Sequence, residues 1–331
     1  MRSLYIFGNG LGMAISPEAF NLTNALIDVW DDGTLEDEQK ALISACLPAD
    51  VQKPTSEEQL AKLQNTVDAC EILLSIRDTG AAHWLSEEGG KFPEAVYKLT
   101  YAVARKMYLA KHMAGEDLGA TCRAPEEFIA PLIQKIRDTG SHVATLNYDG
   151  LLSNALLEAD ILGGDNPVLF DGFVESIFDR KNLFRKKGYG GWYLHLHGSP
   201  LFSGKAGSKW RKISEAAISR KRFPIHAGRH LVLTHFTNKP RIIAASDILS
   251  IYWEFLQMAL DESERIVIFG YSGNDTHLNR LISQARGTKD TIVVDWLGSG
   301  SRAVRQPFWD DQLGGDVHLE LLEDVFTFID W

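Results

Sequence analysis

The sequence predicts an α/β protein built on a doubly wound parallel sheet, with a helical subdomain inserted after its first βα unit. Three observations predict it. Short continuous apolar runs at 4–7, 142–146, 193–196, 265–269 and 291–296 have the character of strands buried on both faces. Segments with helical spacing follow several of these runs, and alternation of that kind gives a parallel sheet covered by helices. Between the first two runs, from about 36 to 140, the pattern is almost wholly helical.

Taken in order, the run at 4–7 leads into Gly8, Asn9, Gly10, Leu11, Gly12, Met13 and Ala14. Glycines there permit positive φ and let backbone N–H groups approach a ligand, and a helix starting nearby would point its positive end at a phosphate. Leu22, Ala25, Leu26 and Val29 recur at helical spacing. Ser56 with Gln59 forms a capping box ahead of Leu60, Leu63, Val67, Cys70 and Leu74. Pro93 stands where a first helical residue belongs, and Val96, Leu99, Val103 and Met107 continue one apolar face. A further helix begins near Pro125 and ends at Gly140.

Strands resume at 142–146, ending in Asn147, Tyr148 and Asp149, with a helix carrying Leu151, Leu152, Ala155 and Leu156 beyond. Residues 163–235 read as a loop-rich basic excursion. Within it the strand at 193–196 ends in His197-Gly198-Ser199, and a short helix is expected around 214–219. An amphipathic helix spans about 247–260. The strand at 265–269 runs into Gly270-Tyr271-Ser272-Gly273-Asn274-Asp275 and another helix; the strand at 291–296 carries Asp295. A last strand at 317–321 and a short helix at 324–329 close a single unit covering 1–331.

Composition narrows the function classes. An apolar fraction of 45% is that of a globular chain, not a disordered one. The longest apolar runs are too short for a membrane span, and a first strand at about residue 3 leaves no room for a signal peptide, so a cytoplasmic protein is expected. Cys46, Cys70 and Cys122 are far apart and form no CxxC pair, which argues against a disulfide framework or a zinc site, and no metal is expected. The net charge of −10 argues against a surface that generally embraces nucleic acid. Twelve Lys or Arg against the single acid Glu215 between Arg180 and Arg222 leave the rest of the chain at −21. That stretch reads as a solvated loop, an intersubunit contact or a polyanion contact.

In a doubly wound sheet, ligands bind outside the carboxyl ends of the strands. Four motifs stand at such ends: Gly8 to Ala14, Asn147 to Asp149, His197 to Ser199, and Gly270 to Asp275. Their order resembles the sirtuin superfamily, and especially its bacterial sirtuin-like branch of NAD hydrolases in antiphage defence. The resemblance covers about residues 4–296 and implies a Rossmann-like, sirtuin-type fold with NAD+ as substrate. It implies that Gly8, Asn9 and Gly10 hold the NAD+ phosphates. Asn147, Asp149 and His197 would be the catalytic group, with Asn147 and His197 facing the nicotinamide ribose. A homo-oligomer, and a separate activator or ATPase partner, are also implied.

The chain departs from protein-deacylating sirtuins in having Gly-Asn-Gly-Leu-Gly in place of Gly-Ala-Gly-x-Ser, and in lacking four zinc cysteines. Hydrolysis of NAD+ itself is therefore expected ahead of deacylation, with Ser16 a candidate by proximity for the missing Ser. Breaking the nicotinamide–ribose bond develops oxocarbenium character, which calls for fixed polar groups at the ribose and a base. His197 has the pKa range of such a base, and Asn147 both donates and accepts. Asp149 either stabilises positive charge or braces its turn. Gly270, Ser272, Asn274 and Asp275 are expected at the adenosine half, Asp275 alternatively capping the next helix. Asp295 would accept from an adenosine ribose hydroxyl. His195, inside the apolar run that precedes His197, is expected to pack. A dehydrogenase would need an acid closing a second strand about 20 residues past the glycines, but Asp28, Asp31 and Asp32 follow a helical pattern.

Overall fold

The computed structural model describes residues 1–76, 84–112, 122–163, 167–185, 189–204, 209–219, 227–234 and 238–331. The chain opens with β1 (Ser3–Phe7), α1 (Gly10–Ile15), α2 (Leu22–Asp31), α3 (Asp37–Ala45), α4 (Glu57–Ser75), α5 (Glu87–Leu109) and α6 (Glu126–Thr139). Next come β2 (His142–Thr145), α7 (Leu151–Glu158), β3 (Leu169–Phe170), β4 (Phe173–Val174), β5 (Ile177–Phe178), β6 (Gly191–His195), β7 (Phe202–Ser203), β8 (Arg211–Lys212) and α8 (Glu215–Ser219). It ends with α9 (Lys239–Ala245), α10 (Asp247–Glu262), β9 (Arg265–Phe269), α11 (Thr276–Arg286), β10 (Asp290–Trp296), α12 (Arg302–Leu313) and β11 (His318–Leu322).

Seven strands form one sheet in the order β11-β10-β9-β1-β2-β6-β3, and every described pairing is parallel. From β1 the chain builds outward through β2, then returns to set β9 on the other side of β1. The switch point therefore falls between β1 and β9, where the loops leave in opposite directions and open a crevice. Leu4 and Ile6 face one apolar layer with α10 and α11, while Tyr5 and Phe7 face the other with Phe128, Leu132 and Ile136 of α6. All five β1 residues are fully buried, which is why Leu4 to Phe7 read as a continuous apolar run.

The helical cluster draws on α2 to α5, through Leu26, Val29, Ile43, Leu63, Val67, Leu99 and Val103, and takes in Leu231 and Leu233 from the later chain. Of the helices expected over 36–140, α6 packs on the sheet, whereas α2, which precedes that stretch, packs with the helices. Ser56 caps α4 by accepting from Gln59 N–H at 3.4 Å, but the Gln59 side chain accepts from Thr55 N–H at 2.6 Å, one residue outside a regular box. Pro93 does not start α5. It lies inside that helix, because Ser86 caps it by accepting from Gly89 N–H at 3.1 Å, with Glu87 and Glu88 in the first turn.

The excursion holds more regular structure than its sequence announces. β3 pairs with β6 at the sheet edge, and β4, β5, β8 and β7 form a small antiparallel sheet. Two-residue strands are too short to leave a period. Several of its cations are used within the chain: Arg185 pairs with Glu262 at 2.6 Å and lies over the Trp192 ring, Lys212 pairs with Asp171 at 2.9 Å, and Arg180 pairs with Glu254. Lys186, Lys187, Lys205, Arg220, Lys221 and Arg222 lie outside the described residues. α12 was also silent in the sequence, since Pro307 sits inside it and only Trp309 and Leu313 are buried. The expected closing helix is a 3₁₀ turn, Val325–Thr327. Among the described residues no helix is long and apolar enough to cross a membrane.

Candidate active site

The exits of β1 and β9 are fused by backbone contact. Gly8 N–H donates to Phe269 O at 2.9 Å and Gly10 N–H to Gly270 O at 2.7 Å. A Cβ on Gly10 would lie 2.5 Å from Gly270 Cα, and one on Gly8 would lie 2.6 Å from Gly270 O. The expectation of positive φ in the first turn is corrected here: Gly270 has it, at +61°, whereas Gly8 and Gly10 do not. These two glycines serve close backbone approach, and their N–H groups are used inside the protein. Asn9 joins the same scaffold by donating from its amide to Phe20 O at 3.0 Å.

Above this seam lies a cavity of about 1070 Å³ between the carboxyl edge of the sheet and the helical cluster. Gly8, Asn9, Gly10, Asn147, His197, Gly270, Ser272, Asn274, Asp275 and Asp295 all line it. The opposite wall includes Leu22, Thr55, Glu57, Met107 and Tyr148. Ser16 is not among the lining residues; its hydroxyl accepts from Ala19 N–H at 3.3 Å.

Asn147 follows β2, its N–H donating to Thr145 Oγ1 at 3.1 Å. Its side-chain amide is buried with no hydrogen-bond partner for Nδ2 or Oδ1 among the described residues. A buried amide left in that state costs free energy comparable to a lost hydrogen bond, so its presence at a cavity wall points to a ligand. Tyr148, next in sequence, also keeps a buried hydroxyl without a partner there.

His197 Nε2 lies 3.3 Å from Asp275 Oδ2, and Lys239 Nζ lies 3.4 Å from the same oxygen. The other carboxyl oxygen accepts from His277 and Leu278 N–H at 3.2 Å each, capping α11. Asp275 thus has the capping role read from the sequence and a contact with His197 that the sequence did not announce. Tyr271 holds the turn by accepting from Asp275 N–H at 2.7 Å and donating to Asn279 Oδ1 at 2.8 Å. Burial, and then the Lys239 charge, push the His197 pKa below its ordinary value, outweighing the pull of Asp275. Burial pushes the Asp275 carboxyl up, but the His197 hydrogen bond and Lys239 together hold it well below the carboxylate range. The pair is a neutral imidazole backed by a carboxylate.

Asp149 does not line this cavity. It lies behind the Asn147–Tyr148 turn, beside a smaller cavity of about 30 Å³. Its Oδ1 accepts from Leu151 N–H at 2.9 Å, an Asx brace, while Oδ2 is buried without a partner among the described residues. Burial raises its pKa to about 6, against the Leu151 N–H and the Lys111 charge; Asn147 acts on it in the same direction without hydrogen-bonding geometry. His195 packs against Tyr193 and Phe202 at ring distances of 4.9 and 5.1 Å, as expected.

At the other end of the cavity, Asp295 Oδ2 accepts from Arg305 Nε at 2.7 Å and Trp309 Nε1 at 3.0 Å. Ser272 and Asn274 are exposed at the rim. Lys239 and Arg305 are the lining cations that sequence reasoning missed. Lys239 opens the short helix α9, and Arg305 belongs to the unannounced α12, so neither carries a local signal.

A family model described as the SIR2-like domain matches residues 141–309, just over half of the chain. No curated protein matches it.

Proposed function

The chain belongs to the SIR2-like domain family, and from that premise we propose that it is an NAD+ hydrolase releasing nicotinamide and ADP-ribose. NAD+-related activity is general to SIR2-like domains. The observation that carries the finer reading is the partnerless Asn147 amide, on the wall of the same cavity as the neutral His197.

On this reading Asn147 orients the attacking water or a ribose hydroxyl, and its two hydrogen-bonding ends are satisfied only when substrate is bound. As the glycosidic bond breaks, its electron pair stays with the nicotinamide nitrogen and positive charge develops on the ribose. Water oxygen bonds to the anomeric carbon, and His197 takes up the proton released. Asp275 orients His197 and stabilises the imidazolium that forms, as a buried carboxylate does for a catalytic histidine elsewhere. Lys239 keeps Asp275 ionised and His197 neutral between turnovers. Gly8, Asn9, Gly10 and Gly270 shape the floor for the phosphates, while Ser272, Asn274 and Asp295 serve the adenosine half. Asp149 acts from behind the turn, bracing the chain just after Asn147 and Tyr148 through the Leu151 N–H.

By resemblance, the physiological role is NAD+ depletion in antiphage defence, controlled by oligomerisation or a separate partner such as an ATPase. The test is incubation of the purified protein with NAD+ and chromatographic separation of products, alongside His197→Ala and Asn147→Ala. Nicotinamide and ADP-ribose from wild type, lost in both variants, is the expected result. Absence of both turnover and binding of NAD+ would overturn the assignment.

A further inference from the structure

We propose, on the NAD+ reading above, that Trp296 is a stacking platform for the purine base, and that the base is gripped by its flat face, with little reading of its edge. Trp296 is the last residue of β10, lines the large cavity and is 58% exposed. What distinguishes it from a singly exposed surface residue is that it lines the cavity, where an indole offers a flat apolar face to a ligand.

Its position is built. The adjacent Asp295 is fixed by Arg305 and Trp309, and its Oδ1 accepts from Trp296 N–H at 2.8 Å, so the backbone that carries the indole is anchored. The ring itself lies against the backbone of Gly298. A Cβ on that residue would lie 2.3 Å from one ring carbon and 2.4 and 2.5 Å from two more. Only a residue without a side chain lets the indole settle there, braced on one side and open on the other.

Location selects the ligand. β10 stands three strands from β2, which carries Asn147, and three spacings amount to roughly 14 Å along the carboxyl edge. A dinucleotide with its nicotinamide ribose at Asn147 and His197 extends its other end in this direction. Aromatic stacking accepts any flat base, since every base has a π-face, whereas an edge-reading pocket rejects a changed edge strongly. The chain should therefore accept dinucleotides with hypoxanthine or etheno-adenine in place of adenine.

Two readouts test this on the intact protein. The first is quenching of tryptophan fluorescence by ADP-ribose and by AMP. The second is KM for NAD+ and for its hypoxanthine and etheno analogues. Trp296→Ala is expected to lose the quenching and raise KM roughly 5- to 150-fold for all three dinucleotides, while Trp296→Phe retains part of the effect. Gly298→Ala, which leaves the indole in the chain but displaces it, should weaken binding in the same direction. Quenching and KM in Trp296→Ala within twofold of wild type overturn the platform, as does rejection of both analogues by wild type. Quenching by ADP-ribose that depends on Trp296, without nicotinamide release from NAD+ either by the purified protein or after addition of lysate from phage-infected cells, would sustain the platform and overturn the hydrolase reading.

Discussion

His197 and Asp275 meet at 3.3 Å although they leave strands β6 and β9, which stand three places apart in the sheet. Three spacings are roughly 14 Å, so the two loops must fold back over β1 and β2 to touch. The contact joins the candidate base to the cap of α11. Lys239 completes it from a third element.

Asp275→Asn separates the carboxylate's charge from its capping. Asparagine also caps helices, but it leaves Lys239 buried without its anion, at a cost of about 3 kcal/mol. The double variant with Lys239→Met should recover most of that stability. NAD+ hydrolysis should fall about 10²- to 10⁴-fold in both. Urea denaturation and nicotinamide release measure the two effects; full activity in the double variant would remove Asp275 from the mechanism.

Lys239→Met by itself should move the acid limb of the pH–rate profile upward. Burial and the Lys239 charge both disfavour the imidazolium. Removing the cation raises the His197 pKa, so the neutral base is lost at a higher pH as the solution is acidified. A limb that stays in place, or moves down, would show that another group controls it.

Asn147→Ala should abolish turnover and yet stabilise the free protein by about 1 kcal/mol, because the amide it removes is buried without a partner. Stabilisation of wild type by added ADP-ribose should be absent in the variant. Denaturant midpoints with and without ADP-ribose measure both.

Acid should destabilise the fold above the carboxylate range. Burial lowers His142 and His230 to about 4 and His195 to about 3, against about 6.5 unfolded. The native state binds fewer protons, so their contribution is complete above pH ~6.5 and is lost as pH falls toward the folded values. Asp149, raised to about 6, runs the other way and regains part of it on acidification. The net loss between pH 7 and 4 should be on the order of 5 kcal/mol, measurable by urea denaturation across that range.

The sheet strands buried on both faces were legible because continuous apolar runs bounded by glycine or polar residues are a local pattern. Parallel alternation then put every exit on one edge, which is how Asn147, His197, Asp275 and Asp295 could be named together. The two-residue strands of the excursion and the Pro-containing α12 were silent, since neither leaves a hydrophobic period. Gly8 and Gly10 were identified for the wrong physical reason: their need is the approach of the Gly270 backbone, set by β9 being the neighbour of β1.

What the sequence determined by itself is the fold class and the edge of the sheet where the candidate site lies, because both follow from periodicity within a few residues. Tertiary structure alone decided that Asp149 turns behind the site, that Lys239 faces Asp275, and that His197 finds a carboxylate 78 residues away. Strand order and the direction of a side chain at a turn fix those contacts, and neither is written in the spacing of residues along the chain.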